Sequence, residues 1–139
     1  MRCASDSGGT GTGDPSRAAA TATVVIVDDD PEFRGLAARL VTSWGHVVVG
    51  EAGSVTDALA CIPGLHPDVV LADIGLPDGN GFTLTRDLVG LPDAPRVVLI
   101  SSDTDPSNHG AAQRVGARGF VPKHALAGPA LRALMVARG

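Results

Sequence analysis

Basic charge is in short supply in this chain. Its 11 Lys and Arg are outnumbered by 15 Asp and Glu, which leaves a formal charge of −4 and a pI near 5.4. Affinity for phosphate backbones comes from clustered Lys and Arg, so direct nucleic-acid binding is not expected. Cysteine is scarce as well. Cys3 lies in a polar stretch and Cys61 inside a helical pattern. Two such residues suggest neither a disulfide framework nor a metal-binding pair, and Cys61 reads as a small apolar helix residue in a reducing cytosol. Long apolar runs are missing. The stretch after Arg17 imitates the apolar region of a signal peptide, but it ends in three aspartates with no small-residue processing site. A membrane span needs roughly 20 apolar residues, so neither leader nor anchor is expected. The four histidines, His46, His66, His109 and His124, lack a ligand-like spacing, and none is assigned to catalysis or metal.

The 139 residues, 44% of them apolar, suffice for one domain with a covered core. Residues 1–21 are dominated by Gly, Ser, Thr and Ala. They cannot offset the entropy of ordering, and a disordered tail is expected there, with the domain over 22–139. Within the domain, runs rich in Val and Ile alternate with segments of helical period, the pattern of a parallel sheet covered on both faces. The strand candidates are residues 24–27, 47–49, 69–71, 97–100 and 119–121. The first helix presents Phe33, Leu36, Ala37, Leu40, Val41 and Trp44 along one stripe, opened by Asp30-Pro31 and closed by Gly45. A second starts at the box Ser54-Val55-Thr56-Asp57 and is stopped by Pro63-Gly64. The third begins near Gly81, the fourth at Asp105-Pro106 with only Ala111, Ala112 and Val115 to bury, and the last near Gly128-Pro129. No room is left for a second domain before Gly139.

In an open α/β sheet, ligands bind beyond the carboxyl ends of the strands. The residues standing there are Asp28 and Asp29 after the first strand, Asp73 after the third, Ser101 and Ser102 after the fourth, and Lys123 after the fifth; the second offers Glu51, Ala52 and Gly53. Three carboxylates meeting at one edge repel one another unless a cation intervenes. Mg²⁺ takes one or two carboxylates, keeps waters and leaves positions for phosphate oxygens. A hydroxyl at Ser101 and an ammonium at Lys123 complete a pocket suited to a transferring phosphoryl group.

These residues resemble the receiver domains of two-component response regulators, the CheY-like family. The likeness is carried by the acidic pair in Val27-Asp28-Asp29-Asp30-Pro31, by Ala72-Asp73-Ile74-Gly75-Leu76-Pro77-Asp78-Gly79-Asn80-Gly81, by Ser101-Ser102, and by Gly116-Ala117-Arg118-Gly119-Phe120-Val121-Pro122-Lys123. It runs from about Thr23 to Arg138. The resemblance implies a doubly wound (βα)5 sandwich whose five parallel strands take the flavodoxin-like order 2-1-3-4-5. It implies that Asp73 accepts a phosphoryl group from a sensor histidine kinase or phosphotransfer protein. By the same resemblance, Asp28, Asp29, Asp73 and the Gly75 carbonyl hold Mg²⁺. Ser101, followed by small Ser102, and Lys123 then meet the phosphoryl oxygens, and Phe120 is the aromatic switch. Such a protein is cytoplasmic, is not an enzyme beyond its own phosphorylation and dephosphorylation, and forms a dimer on phosphorylation in some members.

Three positions depart from the family's usual residues. Ser101 stands where Thr is common and keeps the hydroxyl without the β-branch. His124 follows Lys123 where many members have a cis proline, and a trans bond is expected because a non-proline cis bond costs about 2.5–4 kcal/mol. Phe120 replaces a frequent Tyr and has no hydroxyl to keep solvated, which favours a buried ring before phosphorylation.

Blander readings compete. Asp30 plainly caps a helix, Asp73 could belong to the turn at Pro77-Asp78-Gly79, and Lys123 alone would be a surface lysine. A phosphohydrolase of the haloacid dehalogenase type would want Asp-x-Asp followed by x-Thr or x-Val, and Pro31-Glu32 follows here. A receiver-like interaction module that works without phosphorylation, and the receiver part of a truncated transcriptional regulator, remain as alternatives.

Overall fold

The structure is a computed structural model and describes residues 4–5, 21–103 and 105–136. The tail expected to be disordered over 1–21 thus falls largely outside the described residues, as do Cys3 and Gly139. Ala4–Ser5 forms a short strand, β1, that pairs antiparallel with Glu51 and Gly50, an addition the sequence did not announce.

Five longer strands follow: β2 (Thr23–Val27), β3 (Val47–Ala52), β4 (Val69–Asp73), β7 (Arg96–Ser101) and β8 (Gly119–Pro122), with β5 (Gly75–Leu76) and β6 (Gly79–Asn80) forming a small hairpin between β4 and the next helix. The sheet runs β1-β3-β2-β4-β7-β8, and its five long strands are parallel. That is the expected flavodoxin-like order, second-first-third-fourth-fifth. Helices α1 (Pro31–Ser43), α2 (Val55–Leu65), α3 (Gly81–Val89), α4 (Ser107–Arg114) and α5 (Pro129–Met135) make the crossovers.

Alternation along each strand divides the core in two. Val25 and Val27, with Val70, Val97 and Leu99, face Ile62 of α2, Leu84 and Leu88 of α3, and Ala112 of α4. Val24 and Ile26, with Leu71, Val98 and Ile100, face Val41 of α1 and Leu131 and Met135 of α5. Both faces being covered explains why the strands read as unbroken apolar runs.

Several local expectations are corrected. Pro63 does not stop α2, which continues to Leu65 and closes on His66 in the left-handed region (φ 48°), its N–H donating to the Ile62 carbonyl at 3.1 Å. A proline in the last turn removes only one helical donor, so the helix tolerates it there. Leu36 is 50% exposed: α1 buries a narrow stripe through Ala37 and Val41, and Leu36 falls outside it. Cys61 packs partly buried against the core and is disulfide-bonded, rather than the simple apolar helix residue expected. No cis peptide bond occurs among the described residues, so Lys123–His124 is trans.

Candidate functional site

The carboxyl ends of β2, β4 and β8 bring one set of side chains together. The Asp28 amide still pairs with the Ala52 carbonyl of β3 at 3.0 Å, and the Ile74 amide with that of Ile100 in β7 at 2.9 Å. Strand pairing therefore holds the chain on either side of Asp28 and Asp73 before it turns away. One carboxylate oxygen from each of Asp28, Asp29 and Asp73 lies within 4.8 Å of the others. Asp28 and Asp73 are buried and Asp29 is exposed.

Lys123, at the end of β8, reaches across this cluster. Its Nζ lies 2.7 Å from Asp28 Oδ2 and 3.2 Å from Asp73 Oδ2. The ring of Phe33, in the first turn of α1, lies beneath the ammonium with its centroid at 4.2 Å, a cation–π contact that does not compete for the carboxylates. Asp28 Oδ1 accepts from the Asp30 amide at 2.9 Å and Asp73 Oδ1 from the Gly75 amide at 3.2 Å. Asp28 Oδ2 is buried, and among the described residues the Lys123 ammonium is its partner.

Burial, and next the charge of Asp28, push the Asp73 carboxyl above its ordinary 3.8; Lys123 and the Gly75 amide pull it back only in part. For Lys123, burial acts downward. It is outweighed by the hydrogen bond that the ammonium donates to Asp28 and by the charges of both aspartates, so the ammonium is held above its ordinary 10.5. A raised acid, two buried carboxylates sharing a single ammonium and a third carboxylate at the mouth describe a pocket short of positive charge. A hard divalent ion that binds through oxygen fits this donor set.

The remaining expected residues are placed less directly. Ser101 is buried, and its Oγ accepts from the Asp103 amide at 2.9 Å. Ser102 is exposed. Phe120 is only 6% exposed and meets the ring of His109 edge-on at 4.9 Å. Gly75 has open space where a side chain would project.

Sequence reasoning missed four supporting residues. Phe33 counted only as core. Arg34 bonds the Glu51 carboxylate and the Asp28 carbonyl. Asp78 leaves its turn to accept from the Val55 and Thr56 amides at 2.7 and 2.9 Å and from the Thr56 hydroxyl at 2.7 Å. Gly81 was read only as a helix start, yet a Cβ there would stand 2.6 Å from the Asp73 carbonyl oxygen.

The family model of the response regulator receiver domain matches residues 24–134. The chain belongs to that family. Among similar proteins is the DNA-binding transcriptional activator DevR/DosR of Mycobacterium tuberculosis, 43% identical over 102 residues, a match covering 72% of this chain and 46% of that protein. A protein-glutamate methylesterase/protein-glutamine glutaminase of Agrobacterium fabrum is 41% identical over 86 residues, covering 61% of this chain and 24% of the other. The receiver therefore spans less than half the length of these curated relatives. Among solved structures, the signal receiver domain of NarL from Mycobacterium tuberculosis is 32% identical with a TM-score of 0.72, covering 82% of this chain and 96% of that one. The BeF3-activated receiver domain of RstA from Klebsiella pneumoniae is 33% identical with a TM-score of 0.71, covering 81% and 97%. Among the described residues, no helix of this receiver is long and apolar enough to cross a membrane.

Proposed function

We propose that this receiver, with its domain over 22–139 and a tail before it, takes a phosphoryl group onto Asp73 from a phosphohistidine on a sensor kinase or phosphotransfer protein in the cytoplasm. The observation that carries this reading is the convergence of Asp28, Asp29 and Asp73 on one ammonium, Lys123. An Asp73 oxygen attacks the phosphorus, the P–N bond breaks, and its electron pair leaves with the imidazole, giving an acyl phosphate. Asp28, Asp29, Asp73 and the Gly75 carbonyl would hold Mg²⁺, which would neutralise charge on the phosphoryl oxygens.

The chain's own groups do the rest. Lys123 lies within reach of Asp73 and exchanges a carboxylate partner for a phosphoryl oxygen, while Phe33 keeps the ammonium at the pocket. Ser101, beside small Ser102, turns its hydroxyl from the Asp103 amide to the phosphoryl group. That motion biases the packing of Phe120 against His109. The reaction is the protein's own modification rather than turnover of a substrate pool, and the signal passes on by protein contact, including a dimer formed on phosphorylation. The greater length of the relatives favours a second reading of the output, in which the receiver is the input part of a larger regulator.

Incubation with Mg²⁺ and acetyl phosphate tests the reading by intact mass. One phosphoryl group is expected on the wild-type chain and none on Asp73→Ala. An unmodified wild-type chain, under conditions that label a control receiver, would leave a passive interaction module instead.

A further inference from the structure

Glu51 lies next to the last residue of β3, on the same rim as the acidic cluster, yet it is not one of the three carboxylates that converge. Its Oε1 is taken by Arg34 Nε at 2.9 Å, in a partly buried pair whose side chains are 20% and 33% exposed, Arg34 first. The same guanidinium donates through Nη1 to the backbone carbonyl of Asp28. It also approaches the turn after β3. A Cβ placed on Gly53 would stand 3.4 Å from Arg34 Nη1 and 4.0 Å from both the Asp28 carbonyl oxygen and the Asp29 Cα. One planar fork thus ties the first turn of α1, the end of β3 and the Asp28–Asp29 peptide together.

We propose that Arg34 is a positioning residue for the acidic cluster: anchored by Glu51, it fixes the Asp28–Asp29 peptide and with it the direction in which Asp29 presents its carboxylate to a divalent cation. The inference rests on the metal-site reading above. Two physical effects of the guanidinium have opposite signs, which makes the proposal decidable. As a positive charge near a cation site, Arg34 opposes Mg²⁺, and its removal by charge alone would tighten binding. As the support of a ligand-bearing peptide, its removal loosens binding, and loss of such supporting partners typically costs about 10–100-fold in metal affinity. Lysine separates the two effects, because it keeps the charge and loses the rigid pair of directional donors.

Calorimetric titration of the whole chain with Mg²⁺, with thermal unfolding as the control for folding, provides the test. Arg34→Ala and Arg34→Lys are both expected to weaken Mg²⁺ binding about tenfold. Glu51→Ala, which removes the anchor, weakens it in the same direction, whereas Glu51→Gln keeps an acceptor for Nε and changes it little. Wild-type binding that Arg34→Ala leaves unchanged or strengthens overturns this inference alone, and so does an Arg34→Lys chain that binds like the wild type. Should Arg34→Ala fail to fold, the lysine variant and Glu51→Ala decide the matter. A wild-type chain that does not bind Mg²⁺ at all overturns the metal-site reading, and this inference with it.

Discussion

Ionising Asp73 inside the fold is opposed first by burial and then by the charge of Asp28, so its carboxyl holds a proton more tightly folded than unfolded. The contribution of such a group to stability is complete below the ordinary value of 3.8 and is lost as pH rises through the raised folded value. At neutral pH the ionised Asp73 carboxylate is therefore a standing cost. Asp73→Asn is expected to raise the melting temperature in the presence of a chelator at about pH 7, and the gain shrinks as the pH approaches the ordinary carboxylate range. A pH series of thermal melts checks this, and a variant no more stable than wild type at neutral pH would contradict it. Gly81 gives a second prediction, since a Cβ there would meet the Asp73 carbonyl oxygen at 2.6 Å and Leu99 Cδ2 at 2.9 Å. Gly81→Ala should cost about 1–3 kcal/mol in urea unfolding, because the clash involves backbone that cannot yield without moving Asp73. The convergence of Asp28, Asp29, Asp73 and Lys123 was legible in the sequence because each stands at or just beyond the end of an apolar run, and strand ends share one rim. Arg34 with Glu51 and Asp78 with Thr56 were not, since pairs separated by 17 and 22 positions are set by how loops approach in space.

Helix boundaries were legible where a capping side chain makes them. Asp30, Ser54 and Asn80 each accept from an amide in the first turn of α1, α2 and α3. Ends were harder, and α2 shows why. Pro63 forbids one hydrogen bond without forbidding the next turn, and the actual stop is a backbone reversal at His66, in the left-handed position that glycine most often fills. That conformation costs a side chain bearing Cβ about 1–2 kcal/mol, against which glycine loses about 0.5–1 kcal/mol in added chain entropy. The contact of His66 with Asp93, at 3.9 Å and well exposed, offsets little. His66→Gly is accordingly expected to stabilise the chain by roughly 0.5 kcal/mol, read as a higher urea midpoint at unchanged slope. The β5–β6 hairpin was half visible: its turn was read from Pro77-Asp78-Gly79, whereas the pairing of Gly75 with Asn80 involves residues with no strand propensity.

Across the molecule, the division of the core into two faces was legible as class and order, because buried parallel strands and amphipathic helices leave few other arrangements. The polar ties at the far edge were not. His46 is buried before β3, where its Nδ1 accepts from the Ala22 amide at 3.0 Å. Burial, and then the charges of Arg132 and Arg96, hold its pKa below 6.5. A base depressed in this way contributes stability that is complete above 6.5 and is lost as pH falls through the folded value. His46→Gln, which can accept but not titrate, should flatten the loss of stability between about pH 7 and pH 5, measured by urea unfolding at each pH. At the opposite rim, the Asp78 carboxylate is held at a pKa of about 2, first by the Thr56 hydroxyl and then by the Thr56 and Val55 amides. It stays anionic through the whole physiological range. The segment leaving Asp73 is consequently riveted to the start of α2, on the flank of the sheet away from Phe120.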